Sequence, residues 1–162
     1  MHREPITPGG YQRLKEELHR LKTKDRPAII KEIAAARGHG DLKENAEYHA
    51  AREKQGMLEA RIGDLENLLA AAEVISHKEH PGKVVFGATV TLLDLNLEIK
   101  KIYQIVGKFE ADIKLGKIPF SSPIAKALIG KKKGDMVTVQ VPKGIQEFEV
   151  LNVDVVLLTE TR

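Results

Sequence analysis

Residues Tyr48, Ala51, Gln55, Leu58, Ile62, Leu65, Leu69 and Ala72 recur at alternating spacings of three and four, a heptad seam of more than three heptads with one polar position at Gln55. Such a seam predicts a long helix packed on another, and Glu53, Arg61, Asp64 and Glu66 fall off it. The partner predicted for it is the segment before. There Thr7 followed by Pro8 reads as an N-cap and first-turn proline, and Leu14, Leu18 and Leu21 share one face. The pattern loses phase from Lys22 to Pro27 and resumes at Ile29, Ile30 and Ile33, which predicts local unwinding; Pro27 lacks a backbone donor and predicts a kink. After Arg37, Gly38 and Gly40 are both read as residues able to take positive φ, so that the chain reverses within a few residues. The expectation is an antiparallel coiled-coil hairpin over residues 1–79, with arms of about 30 residues and a length of roughly 45 Å.

At His80-Pro81-Gly82 the helical period stops and β-branched alternation begins, so a domain boundary is predicted there and a second domain over 82–162. Residues 84–86, 88–93, 99–106, 136–141 and 148–156 read as strands. Ser122-Pro123 reads as an N-cap and first-turn proline, Ile124, Leu128 and Ile129 as a short apolar face, and Gly130 as the stop. The fold class expected is therefore α+β: a helical hairpin followed by a small twisted sheet with one short helix.

The chain has 162 residues, 30% of them charged and 4% aromatic, which fits a helix-rich, well-solvated protein of two small domains. The net charge of +3 is spread thinly: residues 1–80 hold 14 Lys plus Arg against 14 Asp plus Glu, and residues 81–162 hold 12 against 9. A stand-alone DNA binder shows a more concentrated basic face. Without cysteine there are no disulfides, thiolate metal sites or thiol nucleophiles, and any metal must be held by oxygen or imidazole. Residues 1–5 lack the apolar run of a signal peptide, and no segment approaches the ~18 apolar residues of a membrane span. A cytoplasmic, monomeric protein with no membrane association is expected. The six histidines, all within the first 80 residues, show no paired ligand spacing.

Candidate chemistry concentrates between the arms. Asp41 followed three residues later by Glu44 has the form of a capping box at the start of the second helix. The same two carboxylates, one helical turn apart, are also able to address one hard cation such as Mg²⁺, which takes one or two carboxylates and completes its shell with waters and phosphates. The polar group Lys43, Asn45, Glu47 and Tyr48 around them is denser than a cap requires. Arg37 and Arg52 flank the tip, and Arg20, Lys22, Lys24 and Arg26 make a basic run farther down the rod.

The stretch Gly40-Asp41-Leu42-Lys43-Glu44-Asn45-Ala46-Glu47-Tyr48-His49-Ala50-Ala51-Arg52-Glu53 closely resembles the tip of the bacterial Gre transcript-cleavage factors. Residues 86–90, Phe-Gly-Ala-Thr-Val, and 122–131, from Ser122-Pro123 to Gly130-Lys131, match the same family in order. The resemblance implies a protein that is not itself an enzyme. Its hairpin would enter the secondary channel of bacterial RNA polymerase and stimulate that enzyme's own cleavage of backtracked nascent RNA at the 3′ end. It implies Asp41 and Glu44 as the catalytic pair and as ligands of a Mg²⁺ shared in trans with the polymerase active site, with no ion stably held by the protein alone and no other cofactor. It places Arg37 and Arg52 near the RNA. It further implies an FKBP-like C-terminal domain docking on polymerase through Glu110, Asp112, Ser122 and Pro123, although Ser122-Pro123 is equally a helix start. The alternative is a Gre-like channel binder that inhibits without cleavage, and the intact carboxylate pair argues against it.

Overall fold

The computed structural model describes residues 3–38, 40 and 45–158. Two compact bodies divide it. Tyr11–Ala72 form one, and the described residues of Met1–Gly10 and Glu73–Arg162 form the other. The expected division at 79 to 82 is therefore displaced, and residues 3–10 join the C-terminal body. Local bonds account for the shift. Strands β1 (Glu4–Ile6) and β2 (Ala72–Val74) pair, and the N–H of Ile75 donates to the Ile6 carbonyl at 2.9 Å. Residues around the expected boundary are fastened as well. A ring nitrogen of His77 lies 2.9 Å from the Phe86 carbonyl, and His80 accepts the Gly82 N–H on Nδ1 while its Nε2 lies 3.1 Å from the Val153 carbonyl.

The hairpin body contains most of α1 (Pro8–Arg20), a π-helical turn (Leu21–Asp25), α2 (Arg26–Arg37) and α3 (Ala46–Ala71). Leu21, Ile62 and Leu65 are buried in its seam, with Leu14, Leu18, Leu58 and Leu68 packed against them. Every position expected on the seam of α3, from Tyr48 to Leu69, is buried or half-buried. On the first arm the inward positions run Leu14, Leu18, Leu21, Ile29, Ile33 and Ala36. The step from Leu21 to Ile29 is thus one residue longer than a heptad. The π turn absorbs that residue: the N–H of Arg26 donates to the Leu21 carbonyl, an i to i−5 bond, and the seam returns to phase. The break expected at Pro27 accordingly lies just before it. Pro27 occupies the first turn of α2, where its missing N–H costs least. Ile30, read as part of the apolar face, is 53% exposed, because Ile29 and Ile33 hold the seam.

In the C-terminal body five strands pair in the order β5-β4-β3-β7-β6. They are β3 (Thr89–Asp94), β4 (Ile99–Val106), β5 (Lys117–Pro119), β6 (Met136–Val141) and β7 (Gly144–Asp154). All neighbours are antiparallel except β4 and β5. Val90, Leu92, Val137, Val139, Phe148 and Val150 alternate inward, and α4 (Pro123–Leu128) covers them with Ala125 and Leu128. Ser122 caps α4 by accepting the Ala125 N–H at 3.2 Å, as its sequence predicts. Ile129 is 44% exposed rather than part of the face, since the backbone has already left the helix there. Residues 84–86 form no strand; Val84 instead exchanges backbone bonds with Gly130 and Lys131 just beyond α4. The α+β class holds, with β1, β2 and β5 as short strands that no period-2 run announced.

Candidate functional site: the frame of the hairpin tip

Asp41 and Glu44, the expected catalytic and metal-binding pair, lie outside the described residues. Gly38, Gly40 and Asn45 frame them. Gly38 ends α2 with φ −73°, so it does not use the freedom expected of it, whereas Gly40 adopts φ +122°, a conformation suited to glycine. Asn45 then starts α3. Its Oδ1 accepts the Tyr48 N–H at 3.0 Å, and its Nδ2 donates to the Ala36 carbonyl at 2.6 Å. One side chain thereby caps α3 and satisfies a carbonyl in the last turn of α2, fixing where both arms end. The cap read onto Asp41 is supplied by Asn45. That role was missed in the sequence, although Asn three residues before the first seam residue, Tyr48, is an N-cap signal.

Arg37 and Arg52 are both exposed beside this frame, one ending α2 and the other on α3. The Arg37 guanidinium stands 6.0 Å from the Tyr48 ring centroid, which holds its charge at the tip end. Arg52 Nη1 donates to Gln55 Oε1 at 3.1 Å. Farther along, the arms are laced by exposed ion pairs. Arg26 grips Glu59 through two bonds of 2.8 Å, and Arg61 grips Glu17 through two of 3.0 Å. The hydrogen bond from Arg26 holds the Glu59 carboxyl below its ordinary range against its desolvation, and the bond to Glu17 raises Arg61. Among the described residues, no group of three or more His, Cys, Asp or Glu side chains is placed to hold a metal, and no helix is long and apolar enough to cross a membrane.

The residues expected to face polymerase fall on either side of β5. Asp112 brackets it through backbone bonds with Lys117, and its side chain accepts the Lys114 N–H at 3.1 Å. Beyond β5, the Ser122 N–H donates to the Pro119 carbonyl at 2.9 Å and Pro123 is exposed in the first turn of α4. The loop bearing Asp112 also exposes Phe109 (51%), Ile113 (82%) and Leu115 (70%). Glu110 differs from its neighbours: it is half-buried, and its carboxylate accepts bonds from Thr7 and Gly107.

Comparison with known proteins covers almost the whole chain. Residues 4–74 match the family described as "Transcription elongation factor, N-terminal", and residues 78–155 match "Transcription elongation factor, GreA/GreB, C-term". The transcription elongation factor GreA of Xanthomonas campestris is 58% identical over 93% of this chain and 97% of its own length. The protein of the same name from Anaeromyxobacter is 56% identical over 94% of this chain and 93% of its own. A crystal structure of GreA factor homolog 1 from Thermus thermophilus is 29% identical, covering 94% of this chain and 99% of that one, at a TM-score of 0.43.

Proposed function

We propose a function from one premise: the chain belongs to the GreA/GreB family of transcription elongation factors. The protein binds bacterial RNA polymerase, presents its hairpin tip to the secondary channel, and stimulates the polymerase's own cleavage of backtracked RNA. It is an activator in trans rather than a catalyst by itself. The observation that carries this reading is the use of Asn45, not Asp41, to cap α3 and bind the end of α2. The start of α3 thus has its cap in Asn45, which supports reading Asp41 and Glu44 for chemistry rather than as that cap.

Two carboxylates offer hard oxygen donors that suit Mg²⁺, and a pair this small needs the remaining ligands from a partner. Asp41 and Glu44 would hold the ion jointly with polymerase. When bound, the ion supplies positive charge to one of the two oxygens of a phosphodiester displacement. Asp41 and Glu44 also accept hydrogen bonds from the attacking water and orient it. Arg37 and Arg52 supply exposed positive charge to the phosphates of the extruded RNA, a contribution that fades as salt rises. Docking falls to the segments on either side of β5, which carry Asp112, Ser122 and Pro123 and expose Phe109, Ile113 and Leu115.

The test is a purified, backtracked bacterial elongation complex with labelled RNA, incubated with Mg²⁺ and with or without the protein. Accelerated release of 3′ fragments is expected. Occupancy of the polymerase with no acceleration, or with slowed elongation, would instead identify a non-cleaving channel binder.

A further inference from the structure

Glu110 lies on the loop after β4, and its carboxylate is used inside the C-terminal body. Its Oε2 accepts the Thr7 N–H at 3.1 Å and the Gly107 N–H at 2.9 Å, and its Oε1 accepts the Thr7 hydroxyl. The Thr7 oxygen in turn accepts the Gly10 N–H at 3.1 Å. Thr7 is only 5% exposed, so this chain of bonds is shielded from competing water. Two glycines make the approach possible. A Cβ on Gly10 would overlap the Glu110 carboxylate, and one on Gly107 would overlap the Pro5 carbonyl oxygen. An ion pair of 3.1 Å between Lys108 and Glu4 flanks the arrangement.

The first N–H groups of a helix lack intrahelical partners, and the helix dipole favours an anion there. Here that anion comes from a residue 103 positions away in the chain. Thr7 acts as an N-cap that is itself held by the Glu110 carboxylate, and α1 runs unbroken from this first turn to Arg20.

We propose that Glu110 is a positioning residue that clasps the start of α1 to the loop 107–110, and that this internal bond, rather than contact with polymerase, is the work of its carboxylate. The clasp ties residues 7 to 10 to the loop 107–110 within the C-terminal body. Its consequence for cleavage rests on the function proposed above. Glu110→Gln weakens the clasp by removing the charge and presenting a donor to donors. Thr7→Val removes the hydroxyl, and Thr7→Ser restores it.

The experiment uses the full-length protein and its Glu110→Gln, Thr7→Val, Thr7→Ser and Glu110→Gln/Thr7→Val variants. Amide hydrogen exchange at Gly10, polymerase affinity, and cleavage at saturating factor are read for each. Exchange at Gly10 is expected to quicken roughly tenfold in Glu110→Gln and Thr7→Val, with the double variant little worse than either, because both remove one network. Thr7→Ser should stay near wild type. Polymerase affinity should hold within about twofold while cleavage at saturation falls, a split that general destabilisation would not produce. Loss of polymerase affinity in Glu110→Gln with unchanged exchange at Gly10, or additive effects of the two substitutions, would overturn the clasp. If the wild-type protein stimulated no cleavage, the proposed function would fail while exchange and additivity still decided the clasp.

Discussion

The hairpin body and the C-terminal body are held together by different means. In the C-terminal body fourteen described residues are buried in one cluster that includes Phe148, whereas the hairpin's largest cluster of described residues has three, and among the described residues four ion pairs join its arms at the surface. A two-helix seam has no third element to cover it, so leucines such as Leu14, Leu18 and Leu58 stay half-exposed. The lesson is that the part proposed to carry the chemistry is the less buried of the two. Shape and capping, more than core volume, define it.

The widest separation of the two bodies is expected from single large-to-small substitutions. Phe148→Ala, at a fully buried ring, should cost about 3 to 5 kcal/mol, and Leu65→Ala about 2 to 3, the low end for a leucine whose surroundings can collapse. Denaturation followed by hydrogen exchange should show Phe148→Ala loosening the five-stranded sheet while α3 stays protected, and Leu65→Ala the reverse. Uniform loosening of both bodies by either variant would mean that they are one cooperative unit.

A smaller effect, confined to the C-terminal body, should follow pH. Asp94 is 2% exposed at the end of β3, where its carboxylate accepts the N–H groups of Asn96 and Leu97 and pairs with Lys101 at 3.2 Å. Burial pushes its pKa up, but the Leu97 N–H, the Lys101 ammonium and the Asn96 N–H outweigh it, and the net shift is downward from 3.8. A depressed carboxylate contributes stability that is present above its unfolded value and lost as pH falls through the folded one. Wild-type stability should therefore decline below about pH 4 more steeply than that of Asp94→Asn. Parallel acid limbs in the two proteins would remove Asp94 from the account.

The smallest effect belongs to the hairpin surface. Glu17→Gln breaks the ion pair with Arg61, and because Arg61 is exposed and Glu17 partly so, the loss should stay below about 1 kcal/mol and shrink as salt is raised from low to high. A larger, salt-independent loss would show that the pair does more than lace the arms.

Much of this was legible in the sequence where a period or a cap was long enough to stand alone. The seam of α3, the start of α1 at Thr7-Pro8, the start of α4 at Ser122-Pro123 and strands β4 and β6 are where patterning puts them. The phase slip before Pro27 was visible too, although not its form, since a π turn differs from a kink only in which carbonyl Arg26 finds. Bonds between distant residues were not legible. Strands β1, β2 and β5 are three residues each and take their identity from their partners, and nothing in Gly107 to Glu110 announces Thr7. At the tip the sequence shows Asn45 only as one of the polar residues around Asp41 and Glu44, and its double use emerges only when the last turn of α2 comes within 2.6 Å of it.

The most direct measurement is cleavage by a backtracked elongation complex with the Asp41→Ala/Glu44→Ala variant, taken at equal polymerase occupancy and in the presence of Mg²⁺. The account predicts near-complete loss of stimulated cleavage with binding and fold retained, because Asn45 still caps α3 and loss of any auxiliary cap costs only about 1 kcal/mol. Cleavage at the wild-type rate by that variant would contradict it.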